Sequence, residues 1–153
     1  AGEDKYYTAG SKKLIASVKG WKINLQICYD LRFPVWGRQT VEHGETDAVT
    51  PAYDILINVA NWPERRSLAW KTLLCARAIE NQSIVIGVNR VGNDGFGNAH
   101  SGNSLIVNAL GEIYYHMADD EDIFTITLQK EELEKQRSSF PFLNDADSFT
   151  IQP

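Results

Sequence analysis

Trp21-Lys22-Ile23-Asn24-Leu25-Gln26-Ile27-Cys28-Tyr29-Asp30-Leu31-Arg32-Phe33-Pro34 is the stretch on which the fold of this chain turns. Trp21, Ile23, Leu25 and Ile27 alternate with Lys22, Asn24 and Gln26, a period of two that predicts a half-buried strand. The strand runs straight into Cys28. The chain then turns toward a helix whose first turn can carry Pro34. A thiol at that junction is held by a rigid strand, open to a ligand, and close to backbone N–H groups that can stabilise an anion. A nucleophile in acyl transfer needs that setting. The competing reading is a buried core cysteine.

Working outward, residues 13–18 and 21–27 predict two strands joined at Lys19-Gly20, a hairpin turn. Residues 33–43 predict a helix, and Gly44 to Tyr53 a polar loop. Ile55-Leu56-Ile57 centres a buried strand over residues 54–60. Pro63 can open a helix that runs to Asn81, and residues 84–88 form another buried strand. A turn-rich loop, 93–98, follows. Residues 104–108 and 112–117 predict a hairpin around Leu110-Gly111, and residues 122–128 a further strand. Residues 130–136 predict a short charged helix, followed by an apolar extended tail at 140–143. Strands alternating with helices, then a run of strands, indicate an α/β layered domain.

The 153 residues allow one domain, and 43% apolar content with four Trp is enough to bury a core. A net charge of −5 and the absence of a basic stripe argue against nucleic acid as a partner. No apolar run approaches a membrane span, so no membrane association is expected. Cys28 and Cys75 occupy different contexts, which argues against a disulfide and for a reducing cytoplasm. Cys75 sits mid-helix among Leu73, Leu74, Ala76 and Ala78, a packing position.

Asn61 and Trp62 end the strand expected beside the Cys28 strand, at the edge where α/β folds place ligands. Trp62 can wall a pocket and the Asn61 backbone can contact substrate; alternatively, either residue caps a helix with Pro63 at its first position. Asp30 and Arg32 flank the turn and are read as its structural support, with carboxylate binding by Arg32 as the alternative. Asn89-Arg90 ends another central strand and supports the pocket rim. Arg77 and Glu80, three apart, can pair on one helix face. His43, His100 and His116 lack metal-ligand spacing, and no nucleotide-binding loop occurs, so neither a metal nor a cofactor is expected.

The segment from Gln26 to Pro34 resembles the cysteine signature of the carbon–nitrogen hydrolase (nitrilase) superfamily. The likeness continues through Asn58-Val59-Ala60-Asn61-Trp62-Pro63, Cys75-Ala76-Arg77-Ala78-Ile79-Glu80-Asn81-Gln82, Asn89-Arg90-Val91-Gly92, and His100-Ser101-Gly102-Asn103-Ser104 through Gly111-Glu112-Ile113. It spans residues 5 to 150, and the wording is closest to the bacterial omega-amidase group. The resemblance implies a four-layer α-β-β-α sandwich, a Glu–Lys–Cys triad, a small-molecule amide substrate and a homodimer formed through the helical layers. Cys28 would be the nucleophile, with the Tyr29 backbone N–H helping to hold the oxyanion. Glu3 would be a second acid that positions substrate, or else a frayed terminal residue. No upstream residue matches the Lys motif. Residues 1–153 are therefore expected to be the C-terminal portion of one such domain, its general base and cation lying in a missing N-terminal half. Two other function classes stay open: a Cys–His hydrolase with His100 as base, and a noncatalytic interaction domain. Within the family, nitrile or carbamoyl hydrolysis is the alternative to amide hydrolysis.

Overall fold

The computed structural model describes residues 2–43 and 49–147. In chain order the strands are β1 (Leu14–Val18), β2 (Trp21–Ile27), β3 (Val41–His43), β4 (Val49–Pro51), β5 (Ile55–Ala60), β6 (Ile84–Asn89), β7 (Val91–Asn93), β8 (Ala99–Val107) and β9 (Ile113–Ala118). The helices are α1 (Pro34–Gly37), α2 (Ser67–Glu80) and α3 (Lys130–Ser139). Seven strands form one mixed sheet in the order β1-β2-β5-β6-β8-β7, with β9 also on β8, while β3 and β4 make a separate two-stranded ribbon. β2, β5 and β6 are parallel, in a register that aligns Ile27 with Val59 and Ala60 with Asn89. This is the mixed α/β layering that the pattern implied. The chain was expected to contribute to two stacked sheets; among the described residues it builds one sheet and a ribbon.

The central strands are apolar because both faces have something to bury. On one face, Trp70, Leu74 and Ala78, four apart on α2, pack against Leu56, Val85, Leu105 and Val107. α2 lies close to the sheet because β6 carries Gly87. A Cβ there would stand 2.4 Å from Leu74 Cδ1. The opposite face gathers Ile55, Ile84 and Ile106, with Ile57, Ile86 and Tyr115 against them. Toward the ends of the parallel strands that face opens out: Leu25, Ile27, Val59 and Val88 are 42–68% exposed.

Lys19 and Gly20 both have positive φ, +48° and +83°, as a tight two-residue hairpin between twisted strands requires. At the start of the parallel strands, Asp54 is the hub. Its carboxylate accepts the Lys22 backbone N–H at 3.0 Å and pairs with Arg137 at 2.9 Å and Lys130 at 3.2 Å. Burial alone would raise its pKa, but these hydrogen bonds outweigh burial and hold it below the ordinary carboxylate value. Arg137 also donates to the Gln82 and Tyr53 carbonyls, which fastens α3 across the strand starts.

Several expectations need correction. The helix expected over 33–43 lasts four residues. Gly37 lies against the end of the Gln26 side chain, and its carbonyl accepts the buried Tyr53 hydroxyl at 2.6 Å. Buried Gln39 then leaves the helix to exchange hydrogen bonds with the Tyr53 backbone at 2.8 and 3.1 Å. The loop expected from Gly44 to Tyr53 lies partly outside the described residues; its end forms β4. Pro63 stands before the first helical turn, not in it, and a 3-10 turn (Glu64–Arg66) leads into α2. The segment 122–128 has no strand pairing among the described residues. It is held by side chains instead: Phe124 stacks on Tyr115 at 4.1 Å and Leu128 packs beside Ile84 and its neighbours. The apolar tail forms a 3-10 turn, Phe142–Asp145, not an extended segment.

Candidate active site

Three parallel strands end along one edge of the sheet. β2 delivers Cys28 there, β5 delivers Asn61 and Trp62, and β6 delivers Asn89. The strand ends are rigid, so the residues just past them are fixed with respect to one another.

Cys28 opens a 3-10 turn, Cys28–Arg32, and has φ +43°. A residue with a Cβ is costly in that left-handed region, by roughly 1 kcal/mol or more, and persists only where its surroundings hold it. The surroundings do so from three directions. The Asp30 carboxylate accepts the Ile27 N–H at 3.0 Å, and the Asp30 carbonyl accepts the Phe33 N–H at 3.0 Å. From below, buried Arg77 on α2 donates to the Leu31 carbonyl at 2.7 Å while pairing with Glu80 at 2.9 Å. Cys28 itself is half-buried against the core under α2. No hydrogen bond or ion pair engages its thiol among the described residues.

The other site residues fall into place around this elbow. Arg32 lays its guanidinium over the Trp62 ring, 4.5 Å from the centroid, a cation–π contact that ties the elbow to the β5 exit. Trp62 is 3% exposed, its indole N–H donating to the Arg66 carbonyl at 2.8 Å. It is thus a core residue roofed by Arg32, not an open pocket wall. Asn61, beside it, is exposed. The Tyr29 side chain is also exposed and meets Phe33 edge-on at 5.2 Å. Glu3 lies in a 3-10 turn (Glu3–Lys5), and its side chain lies outside the described residues.

His100 does not serve Cys28. Its Nδ1 is 2.9 Å from the Asn98 carbonyl oxygen, and its buried Nε2 has no partner. That removes the geometry on which a Cys–His reading depends. Cys75 is half-buried on α2, where burial pushes its thiol pKa up. Among the described residues, no three His, Cys, Asp or Glu side chains gather as around a metal ion, and no helix is long and apolar enough to cross a membrane.

Sequence reasoning missed the polar layer behind the elbow. Gln26 and Asn58 are cross-strand neighbours, fully buried on the helix side, and their amides have no partner. Only the break in β2 and β5, polar residues where a helix covers the sheet, pointed to them.

The comparisons with known proteins agree with this architecture. Residues 2–138 match the carbon–nitrogen hydrolase family. The chain belongs to that family. It is 43% identical over 152 residues to the omega-amidase YafV of Yersinia enterocolitica, covering 99% of this chain and 56% of that protein. It is 34% identical over 143 residues to the 2-oxoglutaramate amidase of Bacillus subtilis, covering 94% of this chain and 52% of that one. Among solved structures, XC1258 of Xanthomonas campestris superposes with a TM-score of 0.90 at 41% identity, covering 98% of this chain and 56% of that one. XC1258 is a carbon–nitrogen hydrolase superfamily protein with an arsenic adduct in its active site. The chain spans just over half the length of these relatives.

Proposed function

We propose that the protein hydrolyses the amide bond of a small carboxylic acid monoamide, in the manner of an omega-amidase, with Cys28 as nucleophile. The observation that carries this reading is Cys28 itself, a half-buried thiol in a left-handed turn at the end of a central parallel strand. Membership of the carbon–nitrogen hydrolases and the likeness to omega-amidases support the choice of bond.

The chemistry runs in two halves. A carboxylate takes the thiol proton as sulfur attacks the amide carbon. The oxyanion is held by a cation and by the Tyr29 backbone N–H. The C–N bond breaks, the proton passes to the departing nitrogen, and ammonia leaves a thioester on Cys28. The same carboxylate then deprotonates water, which attacks the thioester carbon. The C–S bond breaks, giving a carboxylic acid and the free thiol. Asp30 and Arg32 serve by holding the elbow. Asn61 borders the substrate, and Glu3 is a further candidate for positioning it.

The reading takes the Glu base and the Lys cation of the triad from an N-terminal half of the same domain, of which residues 1–153 are the C-terminal portion. Two features support it. No carboxylate or ammonium engages the Cys28 thiol among the described residues, and the sheet face at Leu25, Ile27, Val59 and Val88 is apolar and uncovered, as an unfilled interface would be. A homodimer through the helical layer and a cytoplasmic setting, consistent with two unpaired cysteines, complete the proposal. The 153 residues alone are then inactive.

The test measures ammonia release from 2-oxoglutaramate and from glutamine. It compares the natural-length protein, its Cys28→Ala variant, the 153-residue chain and that chain mixed with the preceding segment. Turnover is expected in the first and last only, because loss of the covalent step, the base or the cation each removes several powers of ten. Near-normal turnover by Cys28→Ala would refute nucleophilic catalysis at this position. Full turnover by the 153 residues alone would place base and cation among them.

A further inference from the structure

We propose that Asn89 is the positioning residue that sets the Asn61-Trp62 corner against the nucleophile. The inference rests on the amidase reading and names a group that reading does not use. The last residue of β6, Asn89 spends its whole side chain on its neighbours' backbone. Its Oδ1 accepts the Trp62 N–H at 2.7 Å, and its Nδ2 donates to the Trp62 carbonyl at 3.0 Å and to the Gly102 carbonyl at 2.7 Å. One planar amide therefore fixes both polar groups of a residue in the β5 exit and ties that exit to β8.

The residue type follows from the geometry. The task needs one acceptor and two donors in one plane at short reach. Aspartate has no donor when ionised, and glutamine is a methylene too long. Asn89 is itself locked: the Ser104 hydroxyl accepts its N–H at 3.0 Å and donates to its carbonyl at 3.2 Å. Gly102 has φ +63°, and a Cβ there would stand 2.8 Å from Val91 Cγ1, so glycine is required where its carbonyl meets Asn89.

The clamp bears on the reaction through Trp62, whose ring carries the Arg32 guanidinium at 4.5 Å. Arg32 closes the turn that Cys28 opens. Elbow, corner and β6 end thus form one connected unit. Releasing the corner moves Arg32 and the exposed Asn61 relative to the Cys28 sulfur. Displacements of about an ångström suffice for large losses in rate.

The experiment compares Asn89→Ala and the nearly isosteric Asn89→Asp with wild type in the natural-length protein. Reactive sites are counted by stoichiometric alkylation of Cys28. Then kcat and KM for 2-oxoglutaramate are measured per counted site, with the rate constant of alkylation. We expect kcat per site to fall about ten- to a hundredfold in Asn89→Ala, with KM changed only a few-fold. The alkylation rate constant should shift at least threefold. Asn89→Asp should lose a similar factor at neutral pH, because a carboxylate faces two carbonyls. It should recover part of its activity relative to wild type as pH falls, since protonation returns one donor. A purely structural role lowers the count of sites and the melting temperature and leaves each counted site unchanged. Per-site kcat, KM and alkylation rate within twofold of wild type in both variants would overturn the proposal. Should wild type release no ammonia, the amidase reading fails, and the alkylation rates alone decide the role of Asn89 at Cys28.

Discussion

At the N-terminal ends of β2, β5 and β6, Asp54 is saturated: a backbone N–H, a guanidinium and an ammonium all reach its carboxylate. At the C-terminal ends of the same strands, the Cys28 thiol has no hydrogen-bonding partner among the described residues and its backbone is left-handed. One edge is organised for stability, with buried charge fully compensated. The other keeps an unpaired thiol in a left-handed turn that Asp30, Arg77 and the Arg32–Trp62 contact hold in place. Unmet bonding capacity is tolerated at one edge because the opposite edge fastens the strands.

The sharpest way to break this contrast is with a limiting alkylating reagent. Cys28 is expected to take at least ten times more label than Cys75 in the native protein, mapped by mass spectrometry. Both thiols are half-buried, so exposure alone does not separate them. Burial raises the Cys75 pKa and lowers its thiolate fraction, while Cys28 sits at an open strand end. Preferential labelling of Cys75 would undo the assignment of the two edges.

The stabilising edge answers to a different measurement. Arg137→Ala leaves Asp54 buried with a half-exposed Lys130 for company, and is expected to cost about 3 kcal/mol in denaturant unfolding. Alkylation of Cys28 in the folded fraction should be unchanged. The pH dependence has a definite sign. The folded-state pKa of Asp54 lies below its unfolded value of about 3.9, so its contribution is complete above that pH and is lost as pH falls through the folded value. Asp54→Asn should be less stable near neutrality and flatten the fall of stability in that acid window. An unchanged slope there would mean that Asp54 is not the proton-linked group.

How much of this was legible in the sequence follows from how local each feature is. β2 and its break into Cys28, β5, α2, β6 and the β8–β9 hairpin are written in periodicity over a few residues, and Lys19-Gly20 is a local turn signal. The Asn89 clamp joins residues 27 and 13 positions apart, and Arg137 meets Asp54 across 83 positions, so no window of sequence holds them. α1 stops after four residues because Gly37 lies on Gln26 and Gln39 binds Tyr53, contacts made by the fold and not by propensity. Residues 122–128 partly alternate as a strand does, but alternation describes faces and not a ladder partner. At the site, the strand-to-turn junction at Cys28 could be read locally, and the structure adds the Asp30 carboxylate accepting the Ile27 N–H across it. The burial of Trp62 could not be read locally, because it depends on Arg32 lying over its ring and on Trp70 packing against it in the core.

The smallest expected effect sets the two edges against each other on a single strand. β2 is preceded by Lys19 at φ +48° and followed by Cys28 at φ +43°, so both ends carry a left-handed residue with a side chain. Glycine relieves that strain but gains freedom in the unfolded chain, and the difference leaves a net gain of about 0.5 kcal/mol. Lys19→Gly should therefore stabilise the protein by that amount, with Cys28 labelling and ammonia release unaltered. At the other end the fair comparison is between Cys28→Gly and Cys28→Ala, since both lack the thiol and its packing. The glycine variant should be the more stable by the same increment, and both should be inactive. Equal gains at the two ends would mean that the backbone strain is the same at each, and that the thiol alone distinguishes them. If Cys28→Gly proves less stable than Cys28→Ala while Lys19→Gly still gains, the Cβ at position 28 is contributing packing that outweighs its strain. The elbow would then be a relaxed part of the core, and the contrast between the edges would rest on hydrogen bonding alone.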